Sequence, residues 1–71
     1  MYFQRIRDLR EDHDLTQKEI AALLGIQQTV YSRYERGFQN IPLECLLFLA
    51  DYYQVSTDYI LGRTNNPIIN K

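Results

Sequence analysis

Thr16-Gln17-Lys18-Glu19-Ile20-Ala21-Ala22-Leu23-Leu24-Gly25-Ile26-Gln27-Gln28-Thr29-Val30-Tyr31-Ser32-Arg33-Tyr34-Glu35-Arg36-Gly37 is the stretch that decides the fold of this 71-residue chain. Thr16 followed three residues later by Glu19 is a capping box, and Leu15 with Ile20 occupies the two hydrophobic-staple positions. A helix therefore begins at Gln17, turns Ile20, Ala21 and Leu24 inward, and stops at Gly25, where a glycine takes up the left-handed conformation without strain. Only Ile26 and Gln27 separate it from a second periodic segment whose inward residues are Tyr31 and Tyr34. Ile26 and Tyr31 again stand at staple spacing, and Gly37 ends that helix.

Working outward, Phe3, Ile6, Leu9 and Arg10 recur at three and four, which predicts an amphipathic helix from about Tyr2 to His13. Asp14 follows where the chain must turn, and aspartate visits the left-handed region at tolerable cost. On the other side, Phe38 to Ile41 reads as a loop and Pro42 as the first residue of a fourth helix running to Tyr53. Leu43, Leu46, Leu47, Ala50 and Tyr53 are its expected buried stripe, and Glu44 complements its N-terminus. Ser56 caps a last short helix, Thr57 to Leu61, with Asp58 in its first turn and Gly62 after it. The tail from Arg63 lacks a helical period and is expected to be extended or frayed. The expectation is an all-α, compact five-helix unit over residues 1–63, with a C-terminal tail at 64–71 and no second domain.

Composition narrows the function. With 45% hydrophobic and 24% charged residues, the chain resembles an ordinary folded protein rather than a disordered one. The apolar run Cys45 to Ala50 is far short of the roughly 18 residues a membrane span needs, and the N-terminus shows no secretory leader, so the chain reads as cytoplasmic. Cys45, the one cysteine, has no Cys or His at metal-ligand spacing and reads as a small buried hydrophobe. His13, the one histidine, sits between Asp12 and Asp14 at a helix end, where it suits the dipole and has no nucleophile at an interpretable spacing. No enzyme, cofactor or metal is expected. The net charge of -1 and pI near 5.7 oppose nucleic-acid binding, but the acids Asp8, Glu11, Asp12, Asp14, Glu44, Asp51 and Asp58 flank the central stretch. From Gln17 to Asn40 the chain carries Lys18, Arg33 and Arg36 against Glu19 and Glu35.

A capped helix, a short glycine-bearing turn and a second helix is the sequence form of the helix-turn-helix. The runs Leu15 to Ala21, Leu24-Gly25-Ile26, Tyr31 to Gly37, Leu46 to Asp51 and Val55-Ser56 closely resemble the Cro and phage-repressor family of transcription regulators, also called the xenobiotic-response-element type. The resemblance covers roughly Ile6 to Gly62. It implies a lambda-repressor-like fold of five helices, with the third laid in the major groove of double-stranded DNA. The family's base-facing positions match Gln28, Thr29, Ser32 and Arg33; its phosphate-side positions match Gln17, Lys18, Arg36 and Asn40; Arg10 and Glu35 match an ion pair tying the first helix to the third. At about 100° per residue, Gln28, Thr29, Ser32 and Arg33 point away from Tyr31 and Tyr34, so the core cannot use them. Glutamine pairs bidentately with adenine, arginine with guanine, and a threonine methyl meets the thymine methyl. Without the motif, the same residues would read as an ordinary solvated face.

The chain also departs from the family. Gln27 stands where many relatives have a serine cap, which weakens the start of the third helix. Phe38 and Leu43 replace residues that some relatives turn, as basic side chains, toward the DNA, and Phe48 replaces a usually polar position. Tyr52, Tyr59, Phe48, Ile60, Ile68 and Ile69 form a candidate apolar patch for a second copy, with Tyr59 and Ile60 as the expected dimer contacts. The leading expectation is a dimeric, sequence-specific regulator, a repressor by occlusion. The alternative is a protein-binding adaptor or antitoxin-like module with weak DNA affinity, which the acidic pI and the aromatic surface favour.

Overall fold

The computed structural model describes residues 2–68, which form α1 (Gln4–Asp12), α2 (Gln17–Leu24), α3 (Gln28–Glu35), α4 (Leu43–Tyr53) and α5 (Thr57–Ile60). There is no strand among the described residues. The all-α, five-helix expectation holds.

The capping box that opens α2 closes in both directions. Thr16 Oγ1 accepts from the Glu19 N–H at 3.1 Å, and Glu19 Oε1 accepts from the Thr16 N–H at 3.1 Å. At the other end Gly25 takes φ 72°, and the amides of Gly25 and Ile26 donate to the carbonyls of Ala22 and Ala21, so the end of the helix is satisfied without side chains. Asp14 sits at φ 54°, in the left-handed region expected of it. Ser56 caps α5 by accepting from the Tyr59 N–H at 3.0 Å. No side chain caps α3 at Gln27. The first helix starts at Gln4 rather than Tyr2, because Phe3 is extended (φ -122°, ψ 99°) and serves as its N-cap.

One continuous core gathers Ile6 and Leu9 of α1, Ile20 and Ala21 of α2, Tyr31 of α3, Leu46, Leu49, Ala50 and Tyr53 of α4, then Val55 and Ile60. Burial pushes the Tyr53 phenol up to about 12 and that of Tyr31 higher still. The stripe expected for α4 needs correction. Leu46, Ala50 and Tyr53 face inward as expected, but Leu43 and Leu47 are 68% and 49% exposed while Cys45 and Leu49 are buried. A helix reading Leu-Glu-Cys-Leu-Leu-Phe-Leu-Ala offers several apolar stripes, and only its placement in the shared core and against α5 selects one. Pro42 is the N-cap of α4 rather than its first residue.

The described part of the tail is docked rather than frayed. Arg5 of α1 donates to the carbonyls of Tyr59 (2.8 Å) and Thr64 and to Asn65 Oδ1 (2.6 Å), and its guanidinium lies 4.1 Å from the Tyr59 ring centroid. The Ser56 N–H donates to the Pro67 carbonyl at 3.0 Å. These contacts revise the candidate dimer patch. Ile60 is 1% exposed and belongs to the core, because the Ser56 cap fixes the phase of a one-turn helix so that its last residue points inward. Tyr59 is half-buried beneath Arg5. Ile69 lies outside the described residues.

Candidate nucleic-acid interface

The third helix divides its residues cleanly. Tyr31, Tyr34 and Glu35 are buried, whereas Gln28, Thr29 and Arg33 are exposed and Ser32 is half-buried. A helix of eight residues completes little more than two turns, so the buried tyrosines set its rotation and leave the opposite face to solvent. α2 packs more extensively on α3 than on any other helix, and the left-handed Gly25 sets the angle between them.

The first helix locks this arrangement through a charge inside the protein. Glu35 is 3% exposed, and Arg10 reaches it bidentately, Nε to Oε2 at 2.9 Å and Nη2 to Oε1 at 3.0 Å. Arg10 Nη1 also donates to the Leu15 carbonyl at 2.7 Å, so a single guanidinium ties α1, the connection into α2, and the end of α3. Burial opposes ionisation of Glu35, but the hydrogen bonds led by Arg10 outweigh it and hold the carboxyl below its ordinary value. The Arg10 guanidinium is correspondingly raised by the hydrogen bond to Glu35. The expected ion pair is present.

On the outer side of that frame, Gln17, Gln28, Thr29, Ser32, Arg33, Arg36 and Phe38 line one concavity of about 460 Å³. All four expected base-facing residues meet there, with two of the four expected phosphate-side residues, Gln17 and Arg36. Gln17 has a second commitment, since its Nε2 donates to Glu35 Oε1 at 3.3 Å. Lys18 and Asn40 are exposed but do not line the concavity. Phe38 lines it although the sequence reading gave it no role. The available signal was its place next to Gly37, at a position noted only as a departure.

The local charge is more favourable than the net charge of -1. Glu35 is neutralised by Arg10, and Glu19 is engaged in the capping box. Arg33 and Arg36 therefore dominate the concavity, while Asp51 and Asp58 border a different one between α4, α5 and the tail. Two arginines beside glutamine, threonine and serine supply donors for phosphate and donor and acceptor pairs for base edges.

Known proteins carry the same pattern. A helix-turn-helix family model matches residues 6–60. The chain is 46% identical over 67 residues to an uncharacterised helix-turn-helix-type transcriptional regulator, YobD, of Bacillus subtilis (strain 168), covering 94% of this chain and 60% of that one. It is 42% identical over 71 residues to the cryptic phage CTXphi transcriptional repressor RstR of Vibrio cholerae, covering 100% of this chain and 64% of the repressor. It is 36% identical over 70 residues to the antitoxin PezA of Streptococcus pneumoniae serotype 4, covering 96% and 44%. The chain thus spans roughly half to two thirds of the length of these relatives. The capping box, the left-handed turn glycine, the exposed polar face of α3 and these matches agree: the chain belongs to the helix-turn-helix family of the Cro and phage-repressor type.

Proposed function

We propose that this chain is a sequence-specific DNA-binding transcription regulator that represses by occluding its operator, acts in the cytoplasm as a homodimer, and is not an enzyme. One observation carries the reading. Gln28, Thr29, Ser32 and Arg33 share a concavity with Gln17 and Arg36, while the tyrosines of the same helix are committed to the core. Gln28 and Arg33 read base edges; Arg36 and the N-terminus of α2 at Gln17 meet the backbone, with Lys18 and Asn40 at the margin. The dimer forms through the exposed apolar surface of α4 and the tail, Leu47, Phe48, Tyr52 and Ile68, with Tyr59 at its edge. The test is selection of bound duplexes from a random DNA pool, followed by gel shift on the enriched sequence. Enrichment of a roughly palindromic motif is expected, and absence of any enrichment at low salt removes the reading.

A second reading is a protein-binding adaptor or antitoxin-like module with weak DNA affinity. Leu43, Leu47, Phe48 and Tyr52, all exposed on one helix, favour it, as does the likeness to a protein named as an antitoxin. A pull-down run beside the gel shift separates the two, because the adaptor reading requires a stoichiometric protein partner and no enriched duplex.

A further inference from the structure

Phe38 is the most exposed large apolar side chain among the described residues, at 74%, and it stands at the DNA-facing concavity. Its placement is built by the backbone. Gly37 at φ 78° reverses the chain, and the amides of Phe38 and Gln39 both donate to the Arg33 carbonyl, at 2.9 and 3.3 Å. A Cβ at Gly37 would come within 2.9 Å of the Tyr2 Cβ, so the N-terminal segment closes the space behind this turn. The backbone that carries the ring is therefore fixed relative to α3. Above it lies the Arg36 guanidinium, 4.7 Å from the ring centroid. Among the described residues Arg36 makes no ion pair, so the ring is what orients it.

Resting on the DNA-binding reading above, we propose that Phe38 is a positioning residue for the DNA contact: its ring holds the Arg36 guanidinium at the rim of the concavity, ready to meet a phosphate. A guanidinium stacked on an aromatic uses its flat face for the ring and keeps its N–H edges free, and those edges are what a phosphate accepts bidentately. Holding a long side chain in its bound conformation also removes part of the ordering cost of binding. The apolar residue at this position thus acts through the neighbouring cation instead of supplying a charge of its own.

Two measurements test this, one without DNA. In the free protein, the Arg36 Nε–Hε resonance should be displaced upfield by the ring current in wild type and in Phe38→Tyr, and should return toward a solvated position in Phe38→Leu. Absence of that displacement in wild type overturns the proposal. Affinity is then measured at several salt concentrations on a duplex recovered by selection and on a random-sequence duplex. Phe38→Leu should weaken binding to both by about two- to fivefold, the range expected of an exposed cation–π contact. Phe38→Tyr should remain near wild type. Arg36→Gln should lower the salt slope by about 0.9 per reading head, and Phe38→Leu should cost nothing further in that background. Losses that multiply in the double variant show that the ring acts independently of Arg36 and overturn the proposal. Wild type that binds neither duplex, with the ring-current displacement intact, sinks the DNA-binding reading and the proposal with it. Phe38 is exposed, so a thermal melt of each variant should match wild type and exclude misfolding as the source of any loss.

Discussion

Glu35 is a carboxylate sealed in the protein beneath the exposed polar face of α3, and its burial is offset chiefly by Arg10, which meets it with two hydrogen bonds. Arg10→Ala leaves that charge unpaired and should destabilise by about 3–5 kcal/mol, measured by urea unfolding. Replacing both partners together by leucine and methionine should recover much of the loss. Because the folded carboxyl is held below the ordinary glutamate value near 4.5, its contribution is full above that pH and disappears as pH falls through the folded value. The melting temperature should therefore drop on acidification below about pH 4.5, and Glu35→Gln should flatten that limb. Tyr53 gives the opposite limb: its phenol, pushed up to about 12 by burial, costs stability as pH rises above the ordinary tyrosine value of 10. On the outer face, Gln28→Ala or Arg33→Ala should each cost about 1–3 kcal/mol on the selected operator and much less on random DNA. Equal losses on both would remove α3 as the base reader.

Helix ends carry most of the local information in a molecule whose longest helix has eleven residues. Thr16→Ala removes the hydroxyl that accepts from the Glu19 N–H, leaves the backbone N–H of residue 16 to donate to Glu19 Oε1, and should cost about 1 kcal/mol in chemical denaturation. The cap of α4 offers a contrast, since Gln54 terminates that helix at φ 56°, in a conformation that glycine adopts without strain. Gln54→Gly should stabilise the fold by about 0.5–1 kcal/mol, the relief of left-handed strain exceeding the entropy that glycine adds to the unfolded chain. Capping box, left-handed glycine and serine cap were all legible beforehand because each is a hydrogen-bond pattern closed within a few residues. The phase of α4 was not. Its apolar residues occupy more than one stripe, and which of Leu43, Leu47, Cys45 and Leu49 goes inside depends on neighbours remote in sequence.

At the scale of the whole molecule, the exposed apolar surface of α4 and the tail, with Phe48 and Tyr52 stacked 6.0 Å apart, is where association should occur. Phe48→Glu should shift the protein toward monomer in analytical ultracentrifugation and weaken operator binding. The melting temperature should remain near that of wild type, since Phe48 is not part of the core. In the dimer the two α3 helices should lie about 34 Å apart, one turn of DNA, which low-angle scattering on the protein–operator complex can measure. A monomer on saturated operator would contradict this assembly.

The sequence by itself determined the five helices, the turn at Gly25, the inward tyrosines and the outward face of Gln28, Thr29, Ser32 and Arg33. Caps, staples and periodicity act over a few residues and need no knowledge of the rest of the chain. Tertiary structure alone decided which stripe of α4 is buried, and that Ile60 is a core residue rather than a surface contact. Residues 59 and 65 come together at Arg5 only when α1, α5 and the tail pack together, and the turn at Gly37 is closed from behind only by the N-terminal segment at Tyr2. Those outcomes are contacts between elements, and packing chooses among stripes and rotamers that local spacing leaves equivalent.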